Sequence, residues 1–221
     1  MDRIRGTSLP LAGKRIVVDP GHGGQYNGAV GVTGTLEKNV NLDVATHLAD
    51  DLRHLGATVR MTRTGDTAVA PPGASLDDDL KARIGIANQW KADLFVSVHS
   101  NSELGHNRHG IETYHRRADD AQSKRLACDI MQVMSQQLPV EVRGVKPADF
   151  WVIKHAAMPA TLVEVSYLSN PGDEQHLKDP AFRQQAAGTI ATGIEHWFQG
   201  VNAPPLGDPT DDPPQQSPSD P

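Results

Sequence analysis

The sequence predicts a single α/β domain, a mostly parallel, twisted sheet of about six strands with helices on both faces. Three observations carry this expectation. Apolar runs at residues 16–18 and 94–98, and a third at 161–165 broken only by Glu164, suit strands buried on both faces. Stretches with apolar residues three or four apart alternate with these runs, as successive βα units require. The length, 221 residues, is enough for one domain with a full core.

The elements follow in order. Residues 1–13 read as a lead-in, 14–199 as the domain and 200–221 as a Pro/Asp-rich tail or linker stub, too poor in apolar residues to pack. The first strand, Ile16, Val17 and Val18, is cut by Asp19, Pro20 and Gly21, a strong stop. His22 follows between glycines. Four more glycines follow by residue 34, but no Gly-Lys-Ser/Thr follows, so this is no phosphate loop. A helix starts near Thr35, which can cap it, and ends at Gly56; Val40, Val44, Leu48 and Leu52 form its stripe and Glu37 sits in its first turn. Strand 57–61 leads to a loop over 62–79, whose Asp77, Asp78 and Asp79 read as solvated surface and a helix start. Helix 80–90 contains Arg83, which can reach a carboxylate.

Strand 93–98 is followed at once by His99, repeating the placement of His22. Residues 109–114 form a strand polar enough to lie near an edge. Helix 118–138 contains Cys128, a small core residue rather than a nucleophile. Residues 139–149 read as a connection, 150–153 as a short strand, and 161–165 as the strand carrying Glu164. A short helix near Glu174 and a last one over 180–198 complete the domain.

Composition removes several classes. A net charge of −6 without a Lys/Arg cluster argues against nucleic-acid binding. No apolar run reaches membrane-spanning length, and residues 1–5 lack the apolar centre of a signal peptide. A single cysteine excludes an intrachain disulfide.

Ligands in open α/β sheets bind outside the carboxyl ends of the strands. His22 alone reads equally well as a turn histidine. His99 at a second strand end, Glu37 at the start of the following helix and Glu164 inside an apolar strand all fall on that same edge. A lone buried carboxylate is expensive, so Glu164 needs a partner (Arg83 or Lys154), a proton or a metal nearby. Two imidazoles and a carboxylate are a common ligand set for hydrolytic zinc, and a further free glutamate can move the proton of the attacking water. No His-Glu-x-x-His helix is present.

Five segments, in order, resemble the zinc-dependent N-acetylmuramoyl-L-alanine amidases of bacterial cell walls. They are Ile16-Val-Val-Asp-Pro-Gly-His-Gly-Gly24, Leu36-Glu-Lys-Asn-Val-Asn-Leu42, the stretch from Ala92 to Asn101, Gly110-Ile-Glu-Thr-Tyr114, and the stretch from Met158 to Asn170. The resemblance implies that His22, Glu37 and His99 bind one Zn2+ and that Glu164 is the catalytic acid/base. It implies hydrolysis of the amide between N-acetylmuramic acid and L-alanine in peptidoglycan. Substrate contacts are expected from Asn101, His155 and Arg83; the remaining histidines are left as surface or structural. Ser100, Ser166 and Tyr167 depart from the family's usual residues, and the loop 67–79 looks expanded; these bear on substrate preference. The stretch from Tyr114 to Ala118 is too short for the autoinhibitory helix some members carry, so an open site is expected. The resemblance also implies action in the periplasm or outside the cell, as a wall enzyme or phage-type lysin, and a monomer is expected. The competing readings are a zinc peptidase acting within the stem peptide and a wall-binding module without catalysis.

Overall fold

A computed structural model describes residues 8–201. Most of the lead-in and the Pro/Asp-rich tail lie outside the described residues. The elements are β1 (Arg15–Pro20), α1 (Glu37–His54), β2 (Thr58–Met61), α2 (Leu76–Trp90), β3 (Leu94–Asn101), β4 (Ile111–Arg116), α3 (Ala121–Gln137), β5 (Val142–Ala148), α4 (Trp151–Lys154), β6 (Ala160–Tyr167), α5 (Pro171–Lys178) and α6 (Pro180–Gln199). They build one six-stranded sheet in the order β2-β1-β3-β6-β4-β5. All neighbours run parallel except β4 and β6.

Alternation along the strands divides the core. Ile16 and Val18 of β1 face α1, α3 and α6, whose stripes include Val44, Leu48, Ile130 and Ile190. Val17 faces the opposite side, where α2 and α4 contribute Ile84, Val152 and Ile153. The expected doubly covered sheet is therefore present. Strands β1, β3 and β6, adjacent inside the sheet, are almost wholly buried, which explains their apolar runs.

Four expectations are corrected. Residues 139–149 hold the edge strand β5, paired with β4 alone. Its Arg143, Gly144, Lys146 and Pro147 hide the strand pattern, and proline is tolerated there because an edge strand leaves one side of its backbone unpaired. Residues 150–153 are not a strand: α4 is a single helical turn over Trp151–Lys154. A four-residue apolar run does not distinguish the two by periodicity. Thr35 does not cap α1. The N-cap is Leu36, without a side-chain cap, and Glu37 and Lys38 donate their backbone N–H groups to the carbonyls of Ala29 and Asn27 at 3.0 and 3.2 Å. The helix start is thereby tied to the glycine loop that follows β1. The acidic run is not all solvated: α2 begins at Leu76 behind the Ser75 cap, and Asp79 is buried, accepting from Val69 N, Ala70 N and Arg83 Nε.

Strand β3 runs on through His99 to Asn101, so His99 lies within a strand and is not the first residue of a loop. The connection from β4 to α3 spans only residues 117–120.

Candidate metal and catalytic site

Three expected ligands converge at the carboxyl edge. His22 leaves the end of β1 with φ +62°, a left-handed conformation uncommon outside glycine. His99 sits two residues before the end of β3, and Glu37 opens α1, where the helix dipole favours its charge. Their ligand atoms lie within 4.8 Å of one another. His99 Nδ1 is 3.0 Å from Glu37 Oε1, and His22 Nε2 is 3.2 Å from Glu37 Oε2. The two rings meet edge to face at 4.9 Å.

Whether this cluster fits a metal is decided by its donors. Glu37 is held independently of the histidines: Oε2 accepts from Ala29 N at 2.7 Å, and Oε1 accepts from Asn41 Nδ2 and Ser100 N. Burial opposes its ionisation, but the two imidazoles outweigh burial and hold it well below the usual carboxylate range. His22 Nε2 is buried, and although it touches the carboxylate it makes no hydrogen bond. Two imidazole nitrogens and an anionic oxygen, one nitrogen lacking a hydrogen bond, fit a divalent zinc-like cation.

The surroundings keep that space clear. A Cβ on Gly28 would collide with Glu37 Oε2 and the His22 ring, and one on Gly21 would collide with the His99 ring. Gly28 also has φ +66°. Gly28→Ala is therefore expected to weaken binding of a divalent metal at the triad about 10–100-fold, the range seen when a ligand's supporting shell is disturbed; competition against a chromophoric chelator measures it.

Glu164 stands beside the triad. On β6 it pairs in register with His99 of β3 on one side and Glu112 of β4 on the other. It is 4% exposed, and its Oε2 is buried without a hydrogen-bond partner. Burial pushes its carboxyl well above the ordinary range, and the charges of Glu37 and Glu112 push it further. The salt-bridge alternatives are not realised. Lys154 is exposed on α4. The Arg83 guanidinium is turned to Asp19, Asp79 and the carbonyls of Pro20 and His22.

The other expected substrate contacts separate. Arg83, 2% exposed, donates to the His22 carbonyl and also lines the cleft beside His22 and His99. Asn101 lines a cleft next to Glu164 while donating to Glu112 Oε2 at 3.0 Å. His155 is exposed and stacks on Trp151 at 4.2 Å between ring centres. Of the histidines left as surface or structural, His106 lines the Asn101 cleft, with Nδ1 2.8 Å from Ser169 O.

The site also rests on residues that sequence reasoning passed over. Asp19 accepts from Thr62, Ser97 and Arg83; burial raises its pKa, but Arg83 first and then the two hydroxyls bring it below its ordinary value. Arg63 donates to the carbonyls of Pro20, Gly21 and Lys38, tying both sides of the glycine loop. Glu112 is fully buried and accepts from Lys146, Arg143, Tyr114 and Asn101. Asp19 was read only as part of a turn signal. Glu112 carried the same signal as Glu164, an acid inside a strand, but in a strand expected near the sheet edge a polar residue drew no notice.

An open α/β sheet whose carboxyl edge gathers a metal-type triad and a desolvated acid defines a hydrolase class. The comparisons with known proteins narrow the class: the chain belongs to the N-acetylmuramoyl-L-alanine amidase family, whose profile matches residues 16–196. It is 34% identical over 204 residues to the germination-specific N-acetylmuramoyl-L-alanine amidase of Bacillus subtilis, covering 90% of this chain and 85% of that one. The crystal structure of an N-acetylmuramoyl-L-alanine amidase from Clostridium difficile 630 superposes with a TM-score of 0.79 at 32% identity, covering 86% of this chain and 98% of that one. The CwlD amidase of Clostridioides difficile, solved in complex with the GerS lipoprotein, gives a TM-score of 0.81 at 28% identity, covering 85% and 99%. The chain is a hydrolytic enzyme of peptidoglycan-amidase type, and among the described residues no helix is long and apolar enough to cross a membrane.

Proposed function

We propose that this chain hydrolyses the amide joining the lactyl group of N-acetylmuramic acid to the L-alanine of the stem peptide. One zinc ion would be held by His22, Glu37 and His99. The catalytic unit is residues 14–199, acting on the wall outside the cytoplasmic membrane, and the chain works as a monomer. The observation that carries the reading is Glu164: an unpartnered, desolvated acid in register with His99.

Zinc bound there supplies a Lewis acid that polarises a carbonyl and acidifies water. The remaining chemistry is carried by side chains. Glu37 is fixed by donors from Ala29, Asn41 and Ser100, and the two imidazoles against it keep it charged. Glu164 as carboxylate takes the proton of the attacking water as its oxygen bonds to the lactyl carbonyl carbon. The neutral acid then gives a proton to the alanine nitrogen as the C–N bond breaks, leaving a muramyl carboxylic acid and a free peptide amine. Burial suits Glu164 to this cycle, because a carboxyl whose pKa is raised by desolvation is a stronger proton acceptor than a solvated one.

The test is digestion of purified peptidoglycan by the zinc-loaded chain. Expected products are stem peptides with a new L-alanine amino terminus and uncut glycan strands. A chelator is expected to abolish release, and zinc to restore it. New amino termini on any residue other than that alanine would mean a peptidase instead.

A further inference from the structure

Cutting the muramyl–alanine amide means seating two unlike arms. The acyl arm is a sugar with acetyl and lactyl methyl groups and no charge near the bond. The amine arm is a peptide whose amides, amino groups and carboxylates all need polar partners.

Two clefts open from the site, and both are lined by Glu164. The first runs over the α2 and α4 side of the sheet, touching His22 and His99. Tyr26, Leu76, Leu80, Phe150, Trp151 and Val152 wall it. Its charged members Asp19, Asp79 and Arg83 are buried and bonded to one another, so they present no unpaired charge to an occupant. Trp151 is half-buried and backed by His155, and Phe150 is set edge-on against Tyr114 at 5.1 Å. The second cleft runs from Glu37 past the loop that leads into α1; it has no Phe, Tyr or Trp in its walls, and Ser100, Asn101, Ser102 and His106 place hydrogen-bonding groups there among Ala29, Val30 and Leu104.

From this contrast we infer that the aromatic cleft under Trp151 takes the muramyl arm and the Asn101 cleft takes the stem peptide, with the scissile bond at Glu164 where the clefts meet. This rests on the amide-hydrolase reading above. Trp151 is then a specificity-determining residue: it rewards an uncharged, C–H-rich ring and contributes little to a substrate lacking the sugar.

The test compares two substrates of the full zinc-loaded chain: a disaccharide tetrapeptide, and an N-lactoyl tetrapeptide with no sugar. Trp151→Ala is expected to lower the ratio of their kcat/KM values about tenfold, mostly through KM of the sugar-bearing substrate, the size of effect one apolar pocket contact provides. Trp151→Phe keeps a flat ring and most of the ratio, which separates lost contact from lost fold. The peptide-free disaccharide is expected to quench indole fluorescence in the wild type, and this response is lost in Trp151→Ala. An unchanged ratio, or a change that follows peptide length instead of the sugar, overturns the assignment alone. Failure of the wild type to cleave either substrate overturns it together with the amidase reading.

Discussion

Glu164→Gln is expected to cut hydrolysis of the muramyl amide by about 10²–10⁴-fold, the usual worth of a positioned acid/base, while making the metal-free fold more stable. The second half follows from burial. Native packing raises the Glu164 pKa above its unfolded value, chiefly by desolvation. A group with a raised native pKa supports folding while it is protonated, and that support is lost as pH climbs past the unfolded carboxylate value. At neutral pH the acid therefore strains the fold, and an uncharged amide of nearly the same shape costs less to bury. Thermal melts of the metal-free proteins are expected to show Glu164→Gln above wild type near pH 7.5, with the gap closing toward about pH 4. Equal melts at both pH values would mean that Glu164 is already compensated in the native state, and the proposed proton cycle would lose its physical basis.

The same burial that makes this side chain costly to fold around makes it conspicuous in the sequence. Strand burial was legible because β1, β3 and β6 are covered on both sides, which forces apolar runs. Against such runs His22, His99 and Glu164 are conspicuous, and Glu37 follows from the rule that a helix begins at the same edge where the preceding strand ended. What was not legible depends on contacts distant in the chain. β5 is a strand only because β4 offers it an edge, and its own residues lean toward a loop. Arg83 looked like a spare cation because its partners, Asp19 and the His22 carbonyl, lie 64 and 61 residues away. Asp79 sits in an acidic triplet on a helix start. Only the return of the 69–70 backbone over it makes it a buried acceptor, unlike its neighbour Asp78.

Glu112 extends the same argument to a buried carboxylate that ties β3, β4 and β5 together beside Glu164. Its carboxylate gathers Lys146 at 2.8 Å and Arg143 at 3.0 Å from β5, Tyr114 at 2.6 Å from its own strand, and Asn101 from the end of β3. Burial alone would raise its pKa; the Lys146 hydrogen bond leads the contributions that bring it below the ordinary value. Replacing it with Ala leaves Lys146, itself buried, without that anion. Breaking a buried pair from one side typically costs about 3–5 kcal/mol, and we expect Glu112→Ala to destabilise by that order in urea unfolding. The pH sign is opposite to that of Glu164. A depressed native pKa gives stability that is present above the unfolded carboxylate value and lost as pH falls through the native one. The gap between wild type and Glu112→Ala should therefore narrow in acid, where the Glu164→Gln gap narrows as well, but from the other side. Adding Lys146→Met to Glu112→Ala removes the stranded cation and is expected to recover part of the loss. If it recovers none, the cost of Glu112→Ala lies in the empty volume and the unpaired Tyr114 hydroxyl, and the charge pair contributes little.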